Sequence, residues 1–589
     1  MKYPKLKAIK ASRQMVDAFK GYNHNLRIGD GEFFNMKNMT SDHYPVLSPR
    51  GKRGVYASPT APTGLVAKDS LCWVDGSKFV INEYSIEMNL SDEPKQLISM
   101  GAYVIIWPDK KWVNTVPNGK KYEWGNIEAF FTAPSARYAM CKADSTEYGD
   151  IYQSSTPPDP EEHELWIDIS TTPHALKQYS KTSSVWTQIA TTYVRISAPG
   201  IAENFKQYDA VKITGLPDQL SDMNETTCVL WDAYHDPGDG EVAEGTNDYI
   251  VIVGILDKAI TYETELKLER TMPIMDFVIE SNNRLWGCRY GTASNGQVVN
   301  EIYCSKLGDF KNWSCYMGIS TDSWTASCGT DGQWTGAITH MGYPLFFKEN
   351  YVHKVYGNYP SNFQVQTTPC KGVQKGCEKS LAIVNTTLFY KARSGVCAYD
   401  GSLPSEMSYA LGNEAYEEAV GGAHGNKYYI SMKDTAGDHH LFVYDVSKGM
   451  WHREDDFKAD YFCSCRGDLY AISNGKIITM LGSGTADSLP VEWMAETGEI
   501  GISSPDMKYI SRITLRMSMD IGSEVTIYAQ YDFNEEWEQV CILTSDSLRS
   551  FSIPIRPKRC DHMKLRIEGV GAVKIYSLTK TIEQGSELS

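Results

Sequence analysis

The sequence predicts an all-β protein: a β-propeller core with an inserted small β-barrel and a C-terminal β-sandwich. Two observations lead to this prediction. Segments of strand length, rich in Val, Ile, Tyr, Phe, Trp and Thr, recur between turn residues along most of the 589 residues. The chain also has 42% hydrophobic and 12% aromatic residues, which is enough apolar surface for several large cores.

The first element is an N-terminal extended arm over residues 1–63. Residues 1–54 are punctuated by Pro and Gly and hold 11 basic and 4 acidic residues, a net charge of +7. Arg50, Lys52 and Arg53 form a basic turn within it. We interpret these three residues as a partner contact, and a solvated turn is the alternative.

The propeller is predicted over residues 64–132 and 269–482, because paired strand-length runs alternate there with tight turns such as Asp75-Gly76 and Asn474-Gly475. A series of β-sandwiches is the alternative. The segments that read as hairpin units are Leu71–Asn82, Tyr103–Trp107, Met275–Tyr290, Gly342–Gly357, Leu381–Asp400, Lys427–Trp451 and Tyr461–Met480.

Residues 133–268 interrupt this rhythm and are predicted as an inserted acidic, barrel-like β domain. Residues 141–250 hold 19 acidic and 6 basic residues, a net charge of −13. One loop concentrates carboxylates around Gly and Pro: Asp232, Asp236, Asp239, Glu241, Glu244 and Asp248. Such loops bind hard cations, so Asp232, Asp236, Asp239 and Glu241 are a calcium candidate, although the spacing of an EF-hand is lacking and a solvated loop is the alternative.

A linker at Gly482–Pro490 precedes the last domain, a β-sandwich predicted over residues 491–589 from alternation with period two. Its aromatic residues could stack on sugars or pack in the core. They are Trp493, Tyr528, Tyr531 and Trp537.

Charge and motifs exclude several classes of protein. The chain has 57 Lys and Arg against 73 Asp and Glu, a net charge of −16, which argues against general binding of nucleic acid or anionic membranes. The 14 cysteines are scattered and indicate free thiols. No nucleotide-binding P-loop, zinc-protease or hydrolase motif occurs, and we expect no cofactor and no insertion into a membrane.

Two features leave a glycosidase as a third possibility. Glu454 and Asp456 lie in the acidic segment WHREDDF, and Asp331–Trp334 partly matches the Asp-box turn of sialidase blades. Sialidases repeat that turn, whereas it occurs once here, and glycosidase chemistry needs two carboxylates at a set separation. We therefore predict no enzymatic activity.

Four stretches of the chain resemble tail proteins of bacteriophages: Asn25–Gly54, Asn300–Trp313, Gly342–Gly357 and Ser550–Gly569. The first carries the pattern Asn35, Asn38, Asp42, Tyr44, Pro45, Leu47 and Arg50. On these residues the chain is similar to the hub or nozzle proteins of short-tailed phages, which are also called packaged-DNA stabilisation proteins and bear a β-propeller.

The resemblance implies a virion structural protein that is made in the bacterial cytoplasm and forms a ring, expected to be a homohexamer, at the distal end of the tail. The expected partners are other copies of the chain, an adaptor or portal-proximal ring, tail fibre or receptor-binding proteins, and double-stranded DNA in transit. In that ring we expect Asp232, Asp236, Asp239, Glu241 and Glu244 to face the lumen or gate, where acidic walls repel DNA phosphates. A tail-tip or baseplate protein that binds host cell-surface glycan is the alternative.

Overall fold

The computed structural model describes residues 11–119, 121–238, 242–293, 295–482, 485–486, 490–503, 507–532 and 534–584. These residues are almost entirely in strands, and the predicted all-β class with a β-propeller core is confirmed. The propeller consists of seven antiparallel blades within the described residues, which we number 1–7 in chain order. Blades 1–5 are four-stranded sheets, the four strands of blade 6 belong to a ten-stranded sheet, and blade 7 has five strands.

Blades 1 and 2 precede the insert. The strands of blade 1 are Pro62–Ala67, Leu71–Asp75, Lys78–Ile81 and Tyr84–Glu87, and those of blade 2 are Gln96–Met100, Tyr103–Trp107, Lys111–Asn114 and Trp124–Asn126. Apolar residues such as Val74, Phe79 and Val104 are fully buried between them, because each sheet is covered on both faces by its neighbours.

Blades 3 to 6 follow the insert. Their strands are Phe277–Ser281, Arg284–Thr292, Val298–Cys304 and Trp324–Ser327 in blade 3; Gly336–His340, Tyr343–Lys348, Tyr351–Tyr356 and Gln364–Pro369 in blade 4; Ala382–Val384, Thr387–Ala392, Gly395–Tyr399 and Ser405–Glu406 in blade 5; and Tyr416–His424, Lys427–Asp434, His439–Asp445 and Met450–Arg453 in blade 6. Three short 3₁₀ helices, Pro360–Asn362, Glu378–Ser380 and Tyr409–Leu411, lie in the connections.

Blade 7 closes the ring with strands from both ends of the chain. Tyr461–Cys465, Asp468–Ser473 and Lys476–Thr479 supply three strands, and Gly54–Ala57 supplies the fourth by pairing with Lys476–Thr479. Thr485–Ala486 adds a short fifth strand. The first strand of blade 7 contacts the first strands of blades 6 and 1, so the circle of inner strands is continuous there.

The insert leaves the propeller between blades 2 and 3. The first strands of these two blades still contact each other, so the insert lies outside the inner ring. Its three sheets contain Ala129–Ala133, Leu266–Arg270, Ala210–Thr214 and Thr227–Val229; Asp232–Tyr234, Tyr249–Val253, Tyr193–Ser197, Ala136–Cys141 and Ile260–Tyr262; and Tyr152–Ser154, Leu165–Asp168, Ala175–Ser180 and Val185–Gln188. A 3₁₀ helix spans Asp218–Met223.

The C-terminal strands form two sheets that share one hydrophobic core with blades 4 to 6. One contains Ala11–Val16, Val573–Gln584, Lys508–Met519, Arg549–Ile553 and Arg559–Cys560. The other contains Gly21–Tyr22, Glu32–Lys37, Glu492–Thr497, Met563–Val570, Glu524–Tyr531 and Glu538–Leu543, and it continues into blade 6 because Tyr22 pairs with Trp451.

The N-terminal segment was expected to be an extended arm, whereas its described residues are part of this core. Ala11–Val16 pairs with the last strand, Glu32–Lys37 pairs with Glu492–Thr497, and Met39–Thr40 pairs with Ser48–Pro49. The polar composition that suggested an arm belongs to strands that pair with the rest of the chain and stay largely exposed, such as Ala11–Val16, while Phe33 and Met36 are buried. In the described residues no helix is long and apolar enough to span a membrane.

Candidate functional site

The acidic loop of the insert is held by internal contacts. Asp232 accepts a hydrogen bond from Ser145, and Asp236 accepts bonds from the backbone of Gly238 at 3.0 Å and from the side chain of Asn247 at 2.8 Å. Asp239 and Glu241 lie outside the described residues. Among the residues that the structure describes, no cluster of three His, Cys, Asp or Glu side chains could hold a metal ion.

His235 joins two carboxylates of this loop. Its Nδ1 lies 3.0 Å from Asp248, which is buried, and its Nε2 lies 3.1 Å from Glu244. The hydrogen bond with Asp248, then that with Glu244, raises the pKa of His235 above its ordinary value. The loop is therefore fastened by an ion pair when His235 is protonated. The expected position of Asp232, Asp236 and Glu244 at the lumen or gate concerns a ring of several copies, and it stays a prediction.

The predicted partner contact at residues 50–53 is mostly used inside the molecule. The Arg53 guanidinium lies 2.6 Å from Glu454 and 2.7 Å from Asp455, and Arg50 lies 3.2 Å from Asp455. Lys52 is exposed. Burial would raise the pKa of Asp455, but the two arginines outweigh it and hold this pKa below the usual range. The network fixes the closing strand Gly54–Ala57 to the end of blade 6.

The carboxylates considered for glycosidase chemistry do not form a catalytic pair. Glu454 is buried and bound to Arg53, whereas Asp456 is exposed and lies 2.6 Å from Arg453. In the partial Asp-box, Trp334 is buried against Phe346 and His353. Of the aromatic residues proposed to stack on sugars, Trp493 is buried, and cationic side chains lie over Tyr531 and Trp537; Tyr528 is half-buried in its strand.

An open groove of about 740 Å³ lies between blades 3 and 4, at the outer part of one face of the ring. It is formed by the long connection 305–323 of blade 3, the start of the outermost strand of that blade, and residues 359–361 of blade 4. Three aromatic residues line it: Tyr316, Trp324 and Tyr359. Tyr316 is 60% exposed and Tyr359 is 44% exposed, so their rings are available to a ligand.

Small polar residues complete the lining. Ser320, Ser361 and Thr325 contribute hydroxyl groups, and the Thr325 hydroxyl lies 3.2 Å from the Tyr316 hydroxyl. Trp324 is supported from behind, since Trp286 and Phe363 contact its ring edge-on at centroid distances of 6.0 and 5.6 Å.

A buried carboxylate shapes the rim of this groove. Asp322 is 4% exposed, and its Oδ2 accepts hydrogen bonds from the backbone N–H groups of Met317, Gly318 and Ile319 at 2.6, 2.6 and 3.1 Å. Gly318 has φ near +81°, a conformation that favours glycine. The segment that carries Tyr316 is therefore curled around the Asp322 side chain.

A buried arginine holds the same connection from the propeller side. Arg284 is 2% exposed and donates from Nη1 to the carbonyls of Ser305 and Asp322 and from Nη2 to the carbonyl of Ser320, at 2.8, 2.6 and 2.8 Å. These bonds tie the irregular loop to the second strand of blade 3. The groove is thus built on a fixed frame, although its wall is a loop.

Sequence reasoning missed this groove. The signal that could have found it is the length of the break between Cys304 and Trp324, in which Tyr316 stands among Gly, Ser and Thr. A long ordered connection in a propeller is a common place for binding residues.

A second pocket, of about 320 Å³, lies between blades 5 and 6. Glu406 and Glu414 both line it, together with Arg393, Tyr409 and Asn25. A hydrogen bond from Lys371 at 2.6 Å lowers the pKa of Glu406, so this carboxylate is ionised at neutral pH.

Comparison with known proteins yields fold neighbours alone. No family model and no curated protein matches the chain. Similar solved structures include an exo-β-1,3-galactanase from Phanerochaete chrysosporium with galactose, 9% identical over 51% of this chain and 94% of that chain, with a TM-score of 0.20. A glycoside hydrolase of the GH43 type is 9% identical over 52% of this chain and 96% of that chain, with a TM-score of 0.20. The sialidase of Trypanosoma rangeli is 9% identical over 98% of this chain and 96% of that chain, with a TM-score of 0.21.

These neighbours correct the function expected from the resemblance. They are glycoside hydrolases and a sialidase and not tail proteins, which contradicts the prediction of a phage tail hub or nozzle and its tail-tip alternative. The prediction of no enzymatic activity is contradicted by the same neighbours, which at 9% identity and TM-scores of 0.20 and 0.21 do not assign an activity to this chain. Ring assembly, the adaptor and receptor-binding partners, DNA transit and the virion location stay predictions.

Proposed function

We propose that this protein binds carbohydrate in the groove between blades 3 and 4. The observation that supports it is the combination of Tyr316, Trp324 and Tyr359 with serine and threonine hydroxyls in one open groove. The C–H faces of a sugar ring pack on aromatic rings, while its hydroxyls exchange hydrogen bonds with short polar side chains and backbone groups. The groove offers both kinds of contact side by side.

The frame behind the groove favours binding as well. Arg284 and Asp322 fix the connection 305–323 from two sides, so the loop does not lose further conformational freedom when a ligand binds. Because the aromatic side chains are already ordered, little of the favourable free energy of their contact with the ligand is lost in ordering them.

Affinity measurements on groove variants test this proposal. A glycan array followed by calorimetry identifies a ligand, and Tyr316→Ala and Tyr359→Ala should each weaken its binding about three- to tenfold, because a stacked aromatic contact contributes about 0.5–1.5 kcal/mol. Tyr84→Ala is the matched control: Tyr84 is 47% exposed on the outermost strand of blade 1, away from the groove. The absence of any glycan ligand, or equal affinity in all four proteins, would overturn the proposal.

A second candidate function is hydrolysis of a glycosidic bond in the pocket between blades 5 and 6. Glu406 and Glu414 line the same pocket, and glycosidases generally use two carboxyl groups that flank the bond to be cleaved. Glu406, held ionised by Lys371, is suited to the role of base or nucleophile, which leaves Glu414 as the acid.

Turnover of aryl glycosides tests this second candidate. Glu406→Gln and Glu414→Gln should each lower kcat at least about a hundredfold, since general acid or base catalysis contributes about 10²–10⁴-fold. Glu123→Gln, an exposed glutamate before the last strand of blade 2, is the control. Activity that persists in both glutamine variants would exclude this pocket as the active site.

A further inference from the structure

We infer that the groove between blades 3 and 4 selects uncharged saccharides and binds them without a metal ion; this inference rests on the proposed carbohydrate binding. The first support is the set of ionisable groups at the groove. Among the described residues that line it, Asp322 is the one acidic residue, and Lys, Arg and His are absent. No cationic side chain in that lining is available to pair with a carboxylate on a sugar.

The cation that holds the wall of the groove, Arg284, is already committed to the protein. Arg284 is buried, and its guanidinium donates to three backbone carbonyls of the connection 305–323. Turning it toward a ligand would leave these carbonyls without partners in a buried environment, at a cost comparable to the gain from a new ion pair. Arg284 therefore builds the wall of the groove and does not serve as an anion receptor.

The charge that remains at the groove is negative. The Asp322 carboxylate lies behind residues 317–319, and three backbone N–H groups point to its Oδ2. A sialic or uronic acid placed on Tyr316 and Tyr359 would bring a second carboxylate to this region with no cation to compensate it. Both repulsion and the loss of hydration of that carboxylate disfavour the complex. A neutral sugar has neither penalty.

The same carboxylate is unsuited to a bridging cation. Calcium requires six to eight oxygen ligands, whereas Oδ2 of Asp322 is occupied by its three N–H donors and Oδ1 accepts a hydrogen bond from the Cys315 thiol at 3.9 Å. The other lining oxygens belong to serine, threonine and tyrosine hydroxyls and to backbone carbonyls. Recognition through aromatic stacking and hydroxyl contacts needs no such ion.

Matched pairs of neutral and acidic probes test the inference with the full chain. Calorimetry compares fully methyl-esterified polygalacturonate with free polygalacturonate and lactose with sialyllactose, each with and without EDTA. We expect the neutral member of a pair to bind at least tenfold more tightly, with no effect of EDTA and with binding about three- to tenfold weaker in Tyr316→Ala.

A gain-of-charge variant provides an independent arm. Ser361→Lys places a cation at the exposed rim of the groove and should reduce the preference for the neutral probe at least threefold, while Ser545→Lys, far from the groove in the C-terminal strands, should leave it unchanged.

The outcomes distinguish a failure of this inference from a failure of the proposed carbohydrate binding. Equal or tighter binding of the acidic probe, or loss of binding with EDTA, overturns the inference, while groove binding stands if Tyr316→Ala still weakens it. If no probe binds, or if binding is insensitive to Tyr316→Ala and Tyr359→Ala, the proposed function itself fails.

Discussion

Arg284 is the residue on which the shape of the groove depends most directly. We predict that Arg284→Lys loosens the connection 305–323 and weakens ligand binding while the propeller remains folded. The lysine keeps the charge, but a single ammonium group on a shorter reach cannot satisfy the carbonyls of Ser305, Ser320 and Asp322 together.

The magnitude follows from these contacts. Hydrogen bonds that involve a charged group contribute about 1.5–3 kcal/mol each, and the lysine can keep about one of the three. Allowing for relaxation of the loop, we expect a local loss of about 3 kcal/mol, which corresponds to about a hundredfold shift in the opening equilibrium.

Hydrogen exchange measures this opening directly. Amides of residues 305–323 should exchange about a hundredfold faster in Arg284→Lys, whereas amides of the inner strands of blades 4 to 6 should change little. Arg289→Lys, a half-buried arginine on the same strand, is the control and should leave the loop protected. Unchanged exchange in the loop, together with unchanged ligand affinity, would refute the reasoning.

Three further predictions concern the frame of the molecule. Arg53→Met should lower the free energy of unfolding by about 3 kcal/mol, because it removes the nearer cation from buried Glu454 and leaves only Arg50 at 3.6 Å; urea unfolding against Arg27→Met, at an exposed arginine, checks this, and equal midpoints would contradict it. The pKa of His235 is raised in the folded state, so its contribution to stability is present below the unfolded pKa of about 6.5 and is lost as pH rises through the folded pKa. The deficit of His235→Gln in thermal unfolding should therefore shrink between pH 6 and 9, and a constant deficit would exclude this role. Gly215→Ala should destabilise the insert by at least about 1–2 kcal/mol, since φ is near +90° and a Cβ would meet the carbonyl oxygen of Glu265; the melting temperature of this variant against Gly149→Ala, where there is open space, is the measurement, and equal values would count against the strained geometry.

The hairpins of the propeller could be predicted because their signals are local. Asn474 and Gly475 both have positive φ, as a two-residue turn of type I′ requires, and the strands on either side alternate as their sequence indicates. The sequence also contains a repeat, since Leu-Phe-Phe-Lys and Leu-Phe-Tyr-Lys occur at or next to the ends of the second strands of blades 4 and 5. The buried Lys348 binds the carbonyl of Thr330, and the buried Lys391 binds that of Ala392.

Pairings between distant parts of the chain could not be predicted in this way. The strand Gly54–Ala57 pairs in blade 7 with Lys476–Thr479, which lies more than 400 residues further along the chain, and the sequence of its four residues does not specify that partner. The same holds for Ala11–Val16, which looked like an arm because its strand is exposed on most of its surface. The acidic cluster was recognised by composition, but composition does not reveal that His235 and Asn247 already engage Glu244 and Asp236.

The groove was missed for a related reason, and that reason bears on how it works. The stretch around Tyr316 is rich in Gly, Ser and Thr, and such a stretch is expected to be mobile unless other contacts hold it. Phe310, Trp313 and Cys315 of the same connection are buried and anchor it through apolar contacts. Here a buried anion, Asp322, collects three consecutive backbone N–H groups, and a buried cation, Arg284, collects three carbonyls of the same loop. Both charges are used inside the wall, so they order Tyr316 without presenting charge to the ligand. Order and neutrality of the groove thus have one physical origin, and a change in either charged residue should affect both.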